Sequence, residues 1–111
     1  MSPTELAERY FASVRARDIN AFMALFADDA VFISTSGATY SGAADIREME
    51  LGIFATTAPT PTPRFMIAGE DGIAVELNIE LPDGEIRRVG SFFQINKQGR
   101  IQRLSVYRQD S

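Results

Sequence analysis

The sequence predicts an α+β domain in which three N-terminal helices pack on one face of a curved, mainly antiparallel sheet. Three observations carry this reading. Apolar residues of the first half recur at helical spacing behind helix-capping residues such as Ser2 and Asp18. From Arg64 onward the apolar period falls to two. That second half is punctuated by Gly69-Glu70-Asp71-Gly72, Pro82-Asp83-Gly84 and Lys97-Gln98-Gly99, the short turns of a meander. At 111 residues the chain holds one core, and residues 1–111 are read as a single domain.

Ser2-Pro3-Thr4-Glu5 opens the first helix with a Ser cap, Pro at the first helical position and Glu placed to close a capping box. This helix is expected to run to about Arg17, with Leu6, Tyr10, Val14 and Ala7, Phe11 as adjacent apolar rows. Asp18 caps a shorter second helix whose face is Ile19, Phe22, Met23 and Phe26. Asp28-Asp29 is read as its stop and as a turn element, because neighbouring side chains at a helix end point apart. Ala30 to Ser34 follows as a strand, with Phe32 and Ser34 on one side and Val31 and Ile33 on the other.

A loop is expected from Thr35 to Gly42, then a third helix over about Ala43 to Ala55 carrying Ile46, Met49, Ile53 and Phe54 toward the core. The alternating Pro59, Pro61 and Pro63 read as a stiff extended connector. Four meander strands complete the chain. Phe65 and Ile67 lie on the first, and Ile73, Val75, Leu77, Ile79 and Leu81 form the inward row of the second. Val89, Ser91, Phe93 and Ile95 form that of the third, and Ile101, Leu104 and Val106 belong to the last. Glu76, Asn78 and Glu80 then fall on the opposite, convex face.

Composition narrows the chemistry. Eleven basic against fifteen acidic residues give a net charge of −4, with no Lys/Arg cluster to hold a phosphate backbone, so no nucleic acid partner is expected. The chain has no cysteine and no histidine. Disulfides, thiol nucleophiles and thiolate metal sites are thereby excluded, as are the commonest general base near neutral pH and nearly every zinc or non-haem iron site. Neither a metal nor a cofactor is expected, and any chemistry falls to carboxylates, Tyr, Lys, Arg or hydroxyls. With no apolar leader at Met1–Tyr10 and no membrane-length apolar run, a soluble cytoplasmic protein without membrane attachment is expected.

The element order is joined by several local motifs. They are Arg9-Tyr10-Phe11, Arg17-Asp18-Ile19-Asn20-Ala21, Leu25-Phe26-Ala27-Asp28-Asp29-Ala30-Val31-Phe32, Ser41-Gly42, and Gly99-Arg100-Ile101-Gln102. Together they make the whole chain resemble the NTF2-like superfamily, which includes nuclear transport factor 2, SnoaL-type polyketide cyclases and ketosteroid isomerase. The resemblance implies an NTF2-like cone whose helices and concave sheet face enclose a blind apolar pocket. Its expected lining is Tyr10, Phe22, Phe26, Phe32, Ser34, Met49, Ile53, Phe65, Ser91, Phe93, Leu104 and Val106.

Carried across residue by residue, the isomerase's hydrogen-bonding phenol falls on Tyr10, its strand carboxylate base on Ser34 and its late-strand acid on Ser91. A serine without a neighbouring base does not abstract a carbon-bound proton, so two of the three isomerase groups are missing. Tyr10 is the one candidate catalytic residue retained. The sequence therefore favours a SnoaL-like small-molecule-binding domain whose hydrophobic ligand is ordered by Tyr10, Ser34 and Ser91.

Two alternatives stand beside it. One is an isomerase or cyclase acting on a hydrophobic cyclic compound, with a further carboxylate such as Glu50 or Glu76 entering the pocket. The other is a non-enzymatic dimerisation module with a filled interior. An inward carboxylate with a raised pKa selects the first of these, and a cavity too small for any ligand the second. Tyr40 is expected near the cavity mouth as a lid or packing residue, and Arg108, by parity, at the cavity rim or in solvent. Phe92, Ser105 and Tyr107 with Arg88 and Arg103 mark the convex face, through which the resemblance implies a homodimer.

Overall fold

The capping box at Ser2 closes as its residues require. Ser2 Oγ accepts from the Glu5 N–H at 3.1 Å, and Glu5 Oε1 accepts from the Ser2 N–H at 3.3 Å. In the computed structural model, which describes residues 1–109, this box starts helix α1, Pro3–Ala16. The helix stops at Arg17, which adopts a left-handed φ of 54°. Asp18 accepts from the Ala21 N–H at 3.1 Å and caps α2, Ile19–Met23.

Phe26 leaves the helical face expected for it and begins strand β1, Phe26–Ile33. It pairs in parallel with Ile101, which draws its ring into the sheet core. The register then shifts before Val31 meets Arg103, and Asp28 and Asp29 are exposed within this irregularity. The acidic pair is thus not a helix stop. Asp29 Oδ1 instead accepts from Gln102 Nε2 at 3.0 Å, across to the neighbouring strand.

The expected loop contains a short strand, β2 (Thr39–Ser41), antiparallel to β1 with Tyr40 opposite Phe32. Gly42, at φ 89°, turns the chain into α3, Ala43–Thr56. The meander is β3 (Thr60–Ala68), β4 (Gly72–Glu80), β5 (Ile86–Ile95) and β6 (Ile101–Arg108). The six-stranded sheet has the order β2-β1-β6-β5-β4-β3, antiparallel throughout except where β1 meets β6.

The proline segment is strand rather than connector. Pro61 pairs with Ile79 and Pro63 with Leu77, which is tolerated because β3 is the edge strand and one of its sides needs no donors. The register slips between Pro63 and Phe65, so that Phe65 comes opposite Glu76. A one-residue slip reverses every later side chain, and this overturns the expectation for Phe65. Its ring lies on the convex face, 59% exposed, and Met66 is paired with inward Val75 instead.

Helices α1 and α3 close over the concave face. Tyr10 meets Phe11 and Phe93 edge-on, both at 5.1 Å between ring centres, and Phe22 stacks obliquely on Phe26 at 5.0 Å. Phe11, Phe22, Phe26, Leu6, Ile46, Leu77, Ile101 and Leu104 are fully buried. Each such side chain contributes roughly 1.5–3 kcal/mol of burial, and edge-to-face pairs add about 0.5–1.5 kcal/mol. Among the described residues no helix is long and apolar enough to cross a membrane.

Candidate functional site

Helix α3 presents Ile46, Met49, Glu50 and Ile53 at the spacing of one face, and that face packs toward the sheet. Three of these positions are apolar and the fourth is a carboxylate. Where α3 and α1 part above the concave sheet they leave a cavity of about 170 Å³. Tyr10, Phe11 and Val14 enter it from α1, and Met49, Glu50 and Ile53 from α3. Phe32, Ser34 and Thr35 come from β1 and the turn after it, and Pro59 and Pro61 form the wall at the start of β3. Leu77, Ile79, Ser91 and Val106 form the floor. Thr35 is exposed and marks the mouth.

Of the expected lining residues, Tyr10, Phe32, Ser34, Met49, Ile53, Ser91 and Val106 border this cavity. Phe22, Phe26, Phe93 and Leu104 do not. They lie in the packed core behind it, where the Tyr10 ring covers Phe22, Phe26 and Phe93 at centroid distances of 5.2, 6.3 and 5.1 Å. Phe65 is on the opposite side of the sheet for the reason given above. Tyr40 packs against the core rather than lining the cavity, and Arg108 is exposed at the end of β6. Glu76 is exposed on the convex face, so of the two carboxylates considered for the cavity only Glu50 borders it.

Glu50 is 4% exposed, and among the described residues its carboxyl has neither a hydrogen bond nor an ion pair. Burial disfavours the charged form and pushes its pKa up to about 7, against the opposing pull of the Arg17 charge. The Tyr10 hydroxyl is held well above the ordinary phenol range, first by its own burial and then by the negative charge of Glu50. Tyr10 therefore stays protonated and can only donate or accept as a neutral phenol. Among the described residues, Asn78 Oδ1 alone is a fully enclosed side-chain polar atom without a partner. The unpartnered atoms of Glu50 and Tyr10 consequently open onto the cavity.

The two serines contribute less. Ser34 Oγ is hydrogen-bonded to Ser36 Oγ at 3.0 Å, which ties it to the turn at the mouth. Ser91 is buried in the floor as a small polar surface. A carboxyl that is half ionised near neutral pH can both take up and release a proton there, while the phenol beside it offers a hydrogen bond to an oxygen. Among the described residues no group of three or more acidic side chains is placed to hold a metal ion.

The convex face has wider hollows, bordered by the exposed Phe65, Ile67, Phe92 and Tyr107. No buried titratable side chain borders them. The concave cavity is the place where burial and chemistry coincide, and it is the candidate site for that reason.

Solved structures share this architecture. A protein from Kribbella flavida provisionally described as a ketosteroid isomerase superposes with a TM-score of 0.86 at 22% identity, over 96% of this chain and 77% of its own. One from Sinorhizobium meliloti, provisionally described as a polyketide cyclase, gives 0.83 at 23%, over 92% and 93%. The epoxide hydrolase/cyclase-like enzyme SalBIII, with a role in pyran ring formation in the polyether salinomycin, gives 0.83 at 22%, over 96% and 90%. At these identities the likeness establishes the fold alone. A comparison with curated protein sequences finds no match. The sequence profile of the SnoaL-like domain matches residues 7–104, nearly the whole of the folded chain, and the protein therefore belongs to the SnoaL-like family, with an NTF2-like fold.

Proposed function

We propose that this SnoaL-like domain binds a compact, mainly apolar small molecule and transfers a proton on it, with Glu50 as the proton carrier and Tyr10 as the hydrogen-bond donor. One observation carries the reading: Glu50 is a buried, unpartnered carboxyl that opens onto an apolar cavity. Such a group is unfavourable for folding, and sites of proton transfer are where such groups concentrate. It supplies from α3 the carboxylate that Ser34 and Ser91 cannot supply from the strands. The neighbours described as an isomerase and cyclases support a reaction of this class without fixing the substrate.

The cavity limits the substrate. At about 170 Å³ it is close to the roughly 150 Å³ engineered cavity that takes benzene and below the ~300–1,000 Å³ of drug-sized sites. A single ring with one polar atom fits, and a steroid exceeds it. With a cyclic ketone, the oxygen accepts a hydrogen bond from Tyr10 while the Glu50 carboxylate takes a proton from the α carbon. The C–H electron pair moves into the carbonyl to give an enolate, which Tyr10 stabilises. Return of the proton from Glu50 to the same or a conjugated carbon completes exchange or isomerisation.

Cyclohexanone deuterated at its α carbons tests this directly by nuclear magnetic resonance. Loss of deuterium is expected to be faster with the protein than with buffer, and to be abolished by Glu50→Gln. Equal rates for the wild type and Glu50→Gln would exclude Glu50 as the proton carrier. The convex apolar patch of Phe65, Ile67, Phe92 and Tyr107 supports a second part of the proposal, a homodimer through that face, because a monomer would leave these side chains in water.

A further inference from the structure

The cavity is one-sided in charge. Glu50 is the acid that borders it, and no Lys or Arg does. The cations of α1 beside the proline wall are engaged elsewhere: Arg17 donates to the carbonyls of Val14 and Pro59, and Arg15 to the carbonyl of Pro61 at 3.1 Å. Two further buried polar groups border the same space, the hydroxyls of Tyr10 and Ser91. These hydroxyls and the carboxylate can all accept a hydrogen bond.

An ionised carboxylate in these surroundings has no counter-charge, and an uncompensated buried charge is among the costliest arrangements in a protein. A neutral guest displaces water and leaves it uncompensated. A cationic guest supplies the missing charge, and because folding has already desolvated the carboxylate, binding adds only the desolvation of the guest. A metal ion does not suit the site. No group of three or more acidic side chains among the described residues is placed to hold one, and a single carboxylate among apolar walls would leave most of its coordination positions empty. An organic ammonium brings an apolar body for the walls and N–H donors for the acceptors.

We propose that the concave cavity also binds a small primary amine in its protonated form, one apolar ring or its equivalent bearing a single ammonium group, held as an ion pair by Glu50. The volume of about 170 Å³ sets the size of the body. The inference shares with the functional reading the placement of Glu50 in the cavity, and it does not require Glu50 to move a proton on carbon.

Binding should follow the ionisation of Glu50. The groups facing it leave no other switch near neutral pH. From α1 come the phenol of Tyr10, which stays protonated, and the permanent cations Arg15 and Arg17. The strands present Phe32, Pro61, Leu77, Ser91 and Val106, none of which titrates, and on α3 itself Arg47 and Glu48 are exposed. An alkyl amine stays protonated to about pH 10, as lysine does. With Glu50 titrating at about 7, its ionised fraction rises about 30-fold from pH 5.5 to pH 8.

Titration calorimetry with cyclohexylamine and with cyclohexanol, the same ring bearing a neutral polar group, tests the proposal at both pH values. At pH 8 the amine is expected to bind about tenfold or more tightly than the alcohol, and to weaken by about 30-fold at pH 5.5. Glu50→Gln is expected to lose the preference for the amine while still binding the alcohol. The pH dependence of the wild type carries the test if that variant does not fold. No measurable binding of the amine at pH 8, binding no tighter than that of the alcohol, or a preference retained in Glu50→Gln overturns the inference. If the preference follows Glu50 while deuterium exchange does not, the proton-transfer reading fails and the ammonium site stands. The reverse result removes the ammonium site alone.

Discussion

Replacing Glu50 by glutamine should stabilise this protein, and by an amount that depends on pH. The carboxyl has a pKa of about 7 in the folded chain against 4.5 when unperturbed. Folded protein therefore holds the proton more tightly than unfolded protein. Below pH 4.5 both states carry it and the group has no effect. As pH rises from 4.5 to about 7 the unfolded chain releases the proton first, and stability falls by about 1.4 kcal/mol per unit. Above about 7 both states are ionised and the loss is complete. Over the 2.5 units between 4.5 and 7 this amounts to roughly 3 kcal/mol.

Glutamine has the same shape and no charge to bury, so the Glu50→Gln variant should match the wild type near pH 4.5 and exceed it by about 3 kcal/mol at pH 8. With an unfolding entropy of ~2.1 cal/mol/K per residue over 111 residues, that is a rise in Tm of about 13 °C. Urea unfolding of both proteins at several pH values measures the difference, and every other titrating group cancels in it. A difference that is flat with pH, or a variant less stable at pH 8, would refute the reasoning, because Glu50 would then be stabilised as an anion. A stabilised variant that has lost its chemistry is the usual signature of a functional residue.

Four further outcomes are expected. Tyr10→Phe keeps the ring contacts with Phe11 and Phe93 and removes only the cavity-facing hydroxyl, so deuterium exchange should fall about 10–100-fold with a stability change below about 1 kcal/mol. Phe22→Ala empties a site with 0% exposure between Tyr10, Phe26 and Phe54 and should cost about 3–5 kcal/mol in urea unfolding. Gly72→Ala should destabilise strongly, because the new Cβ would lie 2.3 Å from the Phe93 carbonyl oxygen. Light scattering at tens of micromolar protein should give a dimer mass, and Phe92→Glu, which puts a charge on a ring 52% exposed and 5.6 Å from Tyr107, should give a monomer.

The helices and the meander were legible because their signals are local. The capping box at Ser2, the cap at Asp18 and the alternation from Ile73 to Ile79 each occupy one element and need no partner to be read. The misreadings come from contacts distant in sequence. Phe26 continues the apolar row of α2, and only its pairing with Ile101 makes it a strand residue. Pro59 to Pro63 lack the donors a central strand needs, and only the edge position of β3 lets them pair. One slip between Pro63 and Phe65 reverses the parity of Phe65, and nothing in the alternation announces it.

In the site, Tyr10 and the strand positions Phe32, Ser34 and Ser91 followed from parity and resemblance together. Glu50 was visible only as a carboxylate on an otherwise apolar helical face with Ile46, Met49 and Ile53. That signal marks a buried acid once the face is known to be covered, and the cover is supplied by a helix forty residues earlier in the chain.

The central claim is that a single carboxyl in the cavity exchanges its proton near neutral pH, and titration of the Glu50 carboxyl carbon in the wild-type protein tests it most directly. With selective carbon-13 labelling of glutamate, one resonance, missing from Glu50→Gln, is expected to titrate with a midpoint near 7. Titration of that resonance in the ordinary glutamate range near 4.5 would contradict the account, because the cavity would then not disfavour the charged form of Glu50 and the carboxyl would not exchange its proton with solvent near neutral pH.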